Sequence, residues 1–117
     1  MIYTAQHRFA RISSRKLKPV LDLIREKYAD DALDILKHLP HRAARMIEKV
    51  LRSAMANAED QGVRDPGFLV ITDARGDGGP MMKRIMTRSR GMAYTIRRRY
   101  SHITIGLLDI SGGSDLD

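Results

Sequence analysis

Residues 80–108 read PMMKRIMTRSRGMAYTIRRRYSHITIGLL, twenty-nine consecutive positions without a carboxylate and with seven Lys or Arg. The last third is strand-like. Ile103, Ile105 and Leu107 alternate with His102, Thr104 and Gly106, the period of two that places one set on a buried face. The first two thirds cannot be packed the same way. Ile85, Met86, Met92 and Ile96 are their main large apolar groups, too few for a core. A run from Met82 to Gly91 holds four cations and three apolar groups around an expected turn, and Arg97-Arg98-Arg99 follows on the return. The simplest geometry is a long hairpin, over about residues 75–100, whose outer half projects from the body. Ten strand residues span roughly 33 Å. A bare two-stranded ribbon is marginal in water, so such an arm is expected to order when something surrounds it.

The rest of the chain bounds the body. In 117 residues, Leu, Ile, Val and Phe make up 28, enough for one small core. Trp is absent and aromatics are 5%, so that core is aliphatic. No apolar run approaches the length of a membrane span and no signal-type stretch opens the sequence, so a cytoplasmic location is expected. The absence of cysteine excludes disulfides, Cys-based zinc sites and a thiol nucleophile. A single domain is expected over residues 1–110, with 111–117 as a flexible acidic tail.

Net charge is +7 and it is segregated. Residues 1–27 carry +5 and residues 80–108 carry +7, while 28–62 and 63–79 carry −1 each. Of the 21 basic residues 15 are Arg, whose planar fork grips phosphate with two hydrogen bonds. Blocks of like charge repel unless a polyanion is nearby.

Residues 2–11 alternate as a strand, with Tyr3, Ala5, His7 and Phe9 on one side. Ser13 and Ser14 are N-cap candidates for a helix whose apolar face is Leu17, Val20, Leu21, Ile24 and Tyr28. Pro19 lacks an amide donor, so this helix is expected to start late or bend. Asp30 and Asp31 open a short second helix with Ala32, Leu33, Leu36 and Leu39 as its stripe, ended by Pro40. From His41 to Gln61 the spacing of Ala44, Ile47, Leu51, Ala54 and Ala58 marks a third helix, with Glu48 and Arg52 paired on its surface and Gly62 as the stop. Phe68 to Ile71 start a strand, which Arg75-Gly76-Asp77-Gly78-Gly79-Pro80 is expected to interrupt. The fold class is therefore α+β: three helices packed on a small antiparallel sheet, with a long projecting β-hairpin.

No constellation carries catalysis. His38 and His41 lie near Asp34, but Pro40 separates the two histidines and no further ligand to complete a metal site is evident. Gly-Asp-Gly-Gly-Pro before Lys83 lacks Walker spacing, and no helix follows it. Nothing marks a strained nucleophile or an oriented base. No cofactor, metal, membrane or small-molecule substrate is expected. Two cationic groups remain. Arg8, Arg11, Arg15, Lys16 and Lys18 run from the first strand into the first helix. Lys83, Arg84, Arg88, Arg90, Arg97, Arg98 and Arg99 lie along the arm. Because strand side chains alternate, Arg97 and Arg99 point opposite to Arg98, which suits a ribbon surrounded by phosphates better than one laid flat on a duplex. Folded RNA is the expected polyanion, since no base-reading recognition helix is visible.

Five ordered blocks carry a resemblance. They are His7-Arg8-Phe9-Ala10-Arg11, Leu21-Asp22-Leu23-Ile24-Arg25, Val50 through Glu59, Gly79 through Met86, and Ser101-His102-Ile103-Thr104-Ile105. Together they resemble the family of ribosomal protein twenty-two of the large subunit, in its bacterial form. The resemblance implies a body that binds large-subunit ribosomal RNA near the tunnel exit. It implies a hairpin that threads RNA, aids assembly and lines the nascent-peptide tunnel near its constriction, opposite ribosomal protein four. Carried over, Lys83, Arg84, Ile85, Met86, Arg88, Arg90 and Gly91 form the tip, with Arg84 and Arg90 nearest the tunnel wall. Arg97, Arg98 and Arg99, with His102 beside them, hold RNA along the stem. Arg8, Arg11, Arg15, Lys16, Lys18 and Arg25 anchor the body. The implied partners are this RNA, neighbouring ribosomal proteins and the transient nascent peptide. The pattern departs at Gly78, Thr87 and Met92, where an acid, a proline and a basic residue are common. The alternatives are an architectural basic-arm nucleic-acid-binding protein outside the ribosome, and a small enzyme acting on RNA.

Overall fold

The computed structural model describes residues 2–87 and 93–109. In chain order the elements are β1 (Ile2–Ala10), α1 (Ser14–Ile24), α2 (Ala29–His38), α3 (Arg42–Asp60), a 3-10 turn (Pro66–Phe68), β2 (Val70–Thr87) and β3 (Ala93–Leu108). The strands form one antiparallel sheet in the order β1-β3-β2. Three helices cover one face of it, so the α+β expectation holds.

The register explains the core. On the covered face, Tyr3, Leu107 and Ile71 form one row across the strands, Ala5, Ile105 and Ala74 the next, then His7, Ile103 and Gly76, then Ala10, Ser101 and Gly78. Ile103, Ile105 and Leu107 are fully buried, as their alternation requires. Irregularities in register between His7 and Ala10, and between Ile71 and Asp73, keep these rows on one side while both flanking strands twist around β3. Over the sheet pack Leu17, Val20, Leu21 and Ile24 of α1, Leu36 of α2, and Ile47, Leu51, Ala54 and Ala58 of α3, all buried.

Several sequence expectations shift. Pro19 does not delay α1, which begins at Ser14 directly after the extended Ser13. The bond that Pro19 cannot make would reach the Arg15 carbonyl, in the exposed first turn, where water substitutes. The helix also ends earlier than its apolar spacing suggests. Glu26 takes φ 67°, its amide donates to the Ile71 carbonyl at 2.8 Å, and the Ile71 amide donates to the Lys27 carbonyl at 2.9 Å. The α1–α2 loop thus pairs with the edge of β2, and Tyr28 is 45% exposed instead of continuing the apolar face of α1. Phe68 belongs to the 3-10 turn rather than to the strand, which starts at Val70. The glycine-rich stretch does not interrupt pairing as expected. Arg75, Gly76, Asp77 and Gly78 pair with Thr104, Ile103, His102 and Ser101, and the irregularity is confined to the interval between Gly78 and Met81.

Gly76 has its own reason. A Cβ there would lie 3.0 Å from Leu17 Cδ1 and 3.1 Å from Leu17 Cβ and Leu21 Cδ1, so the missing side chain lets α1 lie close on β2. At Gly78, one row nearer the arm, a Cβ would meet nothing within 4 Å. The body ends at this row. Ser101 is fully buried, and its hydroxyl donates to the Ile12 carbonyl at 2.7 Å. Beyond it β1 has stopped, and β2 and β3 continue as a pair from Met81↔Arg99 to Thr87↔Ala93. The radius of gyration, 17.8 Å, with a long axis of 71 Å, records this extension. A compact chain of this length has about 13 Å. The hairpin therefore projects as expected, while Arg88, Arg90 and Gly91 of the expected tip, and the expected acidic tail 111–117, lie outside the described residues.

Three outcomes test this account. Gly76→Val forces Leu17 and Leu21 apart and costs about 1–3 kcal/mol in denaturant unfolding, whereas Gly78→Val stays within about 0.5 kcal/mol. Ser101→Ala leaves the Ile12 carbonyl without its donor and costs about 1–3 kcal/mol in the same assay. In hydrogen exchange of the free protein, amides at 44–58 and 103–107 exchange slowly and those at 81–87 and 93–99 exchange fast; equal protection in both sets contradicts a projecting ribbon.

Candidate nucleic-acid interface

The cations expected on the body come together around the start of α1. Arg15 and Lys18 share one stripe of the helix with Asp22 and Arg25, and they line a cleft of about 390 Å³ between α1 and β2, closed on the far side by Arg75, Gly76 and Asp77. Lys16 lies on the other flank. With Arg11, Ile12 and the start of α3 (His41, Arg42, Ala43) it lines a second hollow of about 330 Å³. His41 and Arg42 were not legible as site residues in the sequence. Only the fold brings the start of α3 beside the β1–α1 loop. Arg8 sits at the β1 irregularity, exposed at the same end of the sheet.

Two cations have structural work as well. Arg25 Nη1 donates to Asp22 Oδ1 at 2.6 Å and Nη2 to the Ala74 carbonyl at 2.7 Å, which braces the end of α1 against β2. Arg45 Nη2 donates to the carbonyls of Leu36 and Leu39, capping α2, and Nη1 pairs with Glu48. Glu48 also meets Arg52 at 3.0 Å, the surface pair expected from the sequence. His38 Nδ1 donates to the Asp34 carbonyl of its own helix at 2.7 Å, four residues back. Arg75 lies between Asp73 (2.9 Å) and Asp77 (3.9 Å), which makes the outer face of the sheet mixed in sign.

The arm is different. Lys83 is the register partner of Arg97, Met82 of Arg98, Met81 of Arg99 and Arg84 of Ile96. Ile85 pairs with Thr95 and Met86 with Tyr94. Two like charges thus share the Lys83–Arg97 rung, an arrangement that weakens an isolated ladder. His102, the register partner of Asp77, is half-buried at the arm's base.

Helix polarity points the same way. A helix start carries partial positive charge and prefers acids, and its end prefers bases. α2 obeys this, with Asp30 and Asp31 first and Lys37 and His38 last. α1 and α3 have no acid in the first turn and place Arg15, Lys16, Arg42 and Arg45 there. The two helices beside the arm's base therefore repel their own side chains at that end. An anion placed there relieves the repulsion and also meets amides left without helical partners. The base of the arm thus has a hollow with a cationic excess on each flank of α1, at the foot of a strand pair whose sequence is basic.

Comparisons with known proteins show which family the chain belongs to. A family model described as ribosomal protein L22p/L17e matches residues 5–107. The large ribosomal subunit protein uL22 of Rhodopirellula baltica is 51% identical over 113 residues, covering 92% of this chain and 95% of that protein. The large ribosomal subunit protein uL22 of Caldicellulosiruptor saccharolyticus is 50% identical over 104 residues, covering 89% and 85%. The matched span begins in β1 and runs through α1 to α3 and both strands of the hairpin, so the elements that build the positive end are the ones shared, and the chain belongs to the ribosomal protein L22p/L17e family.

Proposed function

We propose that this large-subunit ribosomal protein is a structural, non-catalytic component of the ribosome in the cytoplasm. It binds large-subunit ribosomal RNA with two surfaces. Two hollows flanking α1, one lined by Arg15, Lys18 and the outer side of Arg25 and the other by Arg11 and Lys16, with Arg8 exposed at the same end, seat RNA backbone against the body. The arm, with Lys83, Arg84, Arg88, Arg90, Arg97, Arg98 and Arg99, and with His102 at its base, passes between RNA segments. The observation that carries this reading is the coincidence of two boundaries. Beyond Ser101 the sheet is reduced to a single pair of strands, and from Pro80 onward the sequence holds no carboxylate until Asp109.

A ribbon with so little apolar content gains its stability from outside. Phosphate contacts supply it by releasing counterions, and they fix position rather than read sequence. An arm that touches more than one RNA segment also ties those segments together, which is the basis of a role in assembly. The turn region, Lys83 to Gly91, then lies farthest from the body. In the family resemblance it lines the tunnel near ribosomal protein four and meets the nascent peptide. Family membership supports that placement over an architectural DNA-binding role.

Replacing Arg97, Arg98 and Arg99 together by Gln lowers the slope of log affinity against log salt, for a structured large-subunit RNA fragment, by about two to three. An unchanged slope removes these residues from the interface. At matched salt the intact protein prefers that fragment to duplex DNA of equal length, measured by competition; equal affinity favours the architectural alternative. An image of the large particle with this chain located in it tests the placement of the arm tip in the tunnel.

A further inference from the structure

The end of the body opposite the arm is built differently. Tyr28 and Phe68 meet edge to face, with ring centroids 6.5 Å apart, and are 45% and 65% exposed. Beside Phe68 lies a hollow of about 510 Å³ walled by Gly62, Val63, Arg64, Asp65 and Asp109. An exposed aromatic pair next to a hollow is more than a stray surface residue, and its burial by a partner is favourable.

The charge around it is negative. Asp65 and Asp109 line the hollow, and Asp30 stands over Gly67, where a Cβ would overlap its carboxylate. Glu59 and Asp60, both exposed, end α3 directly before the loop that forms the wall. With Asp31 this makes six carboxylates against Lys27 and Arg64. Two of the six sit where they harm the fold. A helix end carries partial negative charge, and α3 closes with two acids and no base in its last turn. Among the described residues no ion pair accounts for that choice. About 20 Å of strand separates this end from the base of the arm, well beyond the screening length of about 8 Å, so the positive end does not compensate it.

We propose that this end is a protein-docking surface. Its partner is a basic protein segment that lays an apolar side chain beside Phe68 and Tyr28 and sets Lys or Arg against Glu59, Asp60 and Asp65. The acids exclude RNA, whose phosphates they repel, and charge complementarity selects the cationic partner. The inference rests on the aromatic pair and the polarity of α3, not on the RNA reading of the other end.

The test uses large particles assembled with this chain carrying Phe68→p-benzoylphenylalanine, salt-washed and irradiated. The expected product is a cross-link to a Lys/Arg-rich, apolar-bearing segment of a neighbouring protein of the particle. A cross-link to ribosomal RNA, to a second copy of this chain or to an acidic segment overturns the proposal, as does none. Adding Glu59→Lys with Asp60→Lys separates docking from folding. It raises the melting temperature of the isolated protein by a few degrees, because bases replace acids at the negative end of α3, and it cuts the cross-link yield about fivefold or more. The uncharged pair Glu59→Gln with Asp60→Asn falls between. An undiminished yield in both overturns the proposal. Entry of the chain into the particle reports separately on the RNA reading.

Discussion

The central position of β3 is the constraint on which the molecule depends. One strand supplies the middle of the buried sheet and one side of the projecting ribbon. A shift of its register by one residue would turn Ile103, Ile105 and Leu107 away from the helices. The core therefore fixes which residue leaves the body, and that residue is Ser101, held by the Ile12 carbonyl. From there the arm inherits its starting direction from a packed core. Its reach is then set by strand length, with no dependence on the weak packing of the arm itself.

Electrostatics explain what packing does not. The core is aliphatic apart from Tyr3 and complete, with no buried polar side-chain atom left without a partner among the described residues. Yet α1 and α3 begin with cations, and Lys83 shares a rung with Arg97. Each arrangement costs the free protein a few tenths of a kcal/mol or more. Arg45 is accounted for by its bonds to the Leu36 and Leu39 carbonyls and to Glu48, whereas Arg15, Lys16 and Arg42 have no such partner among the described residues. A polyanion at the same end turns every one of these penalties into an attraction. On the proposed RNA-binding reading, free folding and the bound state make opposite demands on the same side chains, and the sequence favours the bound state.

Much of this was legible from residue order because the elements are strongly periodic. The α3 spacing, the alternation in β3 and the acid-free run each carry their signal within one segment. The misread positions are those decided by a distant segment. Tyr28 continues the 3.6-residue period of α1, but the edge of β2 captures Glu26 and Lys27 and ends the helix without a glycine. Arg75 to Gly78 have the composition of a turn, but β3 offers them a ladder and α1 needs Gly76 bare. Arg25 reads as one more cation and is also a brace to the Ala74 carbonyl. His41 and Arg42 read as a helix start, and only the approach of the β1–α1 loop makes them part of a cationic hollow.

The scarcity of apolar groups in the arm also has an electrostatic counterpart. A ribbon of ordinary hydrophobic strands would be more stable alone, but its unpaired edges and faces would invite pairing with other chains. Cations on a long exposed hairpin prevent that while the protein is unassembled, through mutual repulsion between copies. They lose that effect only where phosphate density is high enough to neutralise them. The composition that makes a two-stranded ribbon a poor independent structure therefore also favours surroundings rich in phosphate. If the arm binds RNA as proposed, loss of its charge is felt twice, as weaker RNA binding and as a greater tendency of the free chain to self-associate.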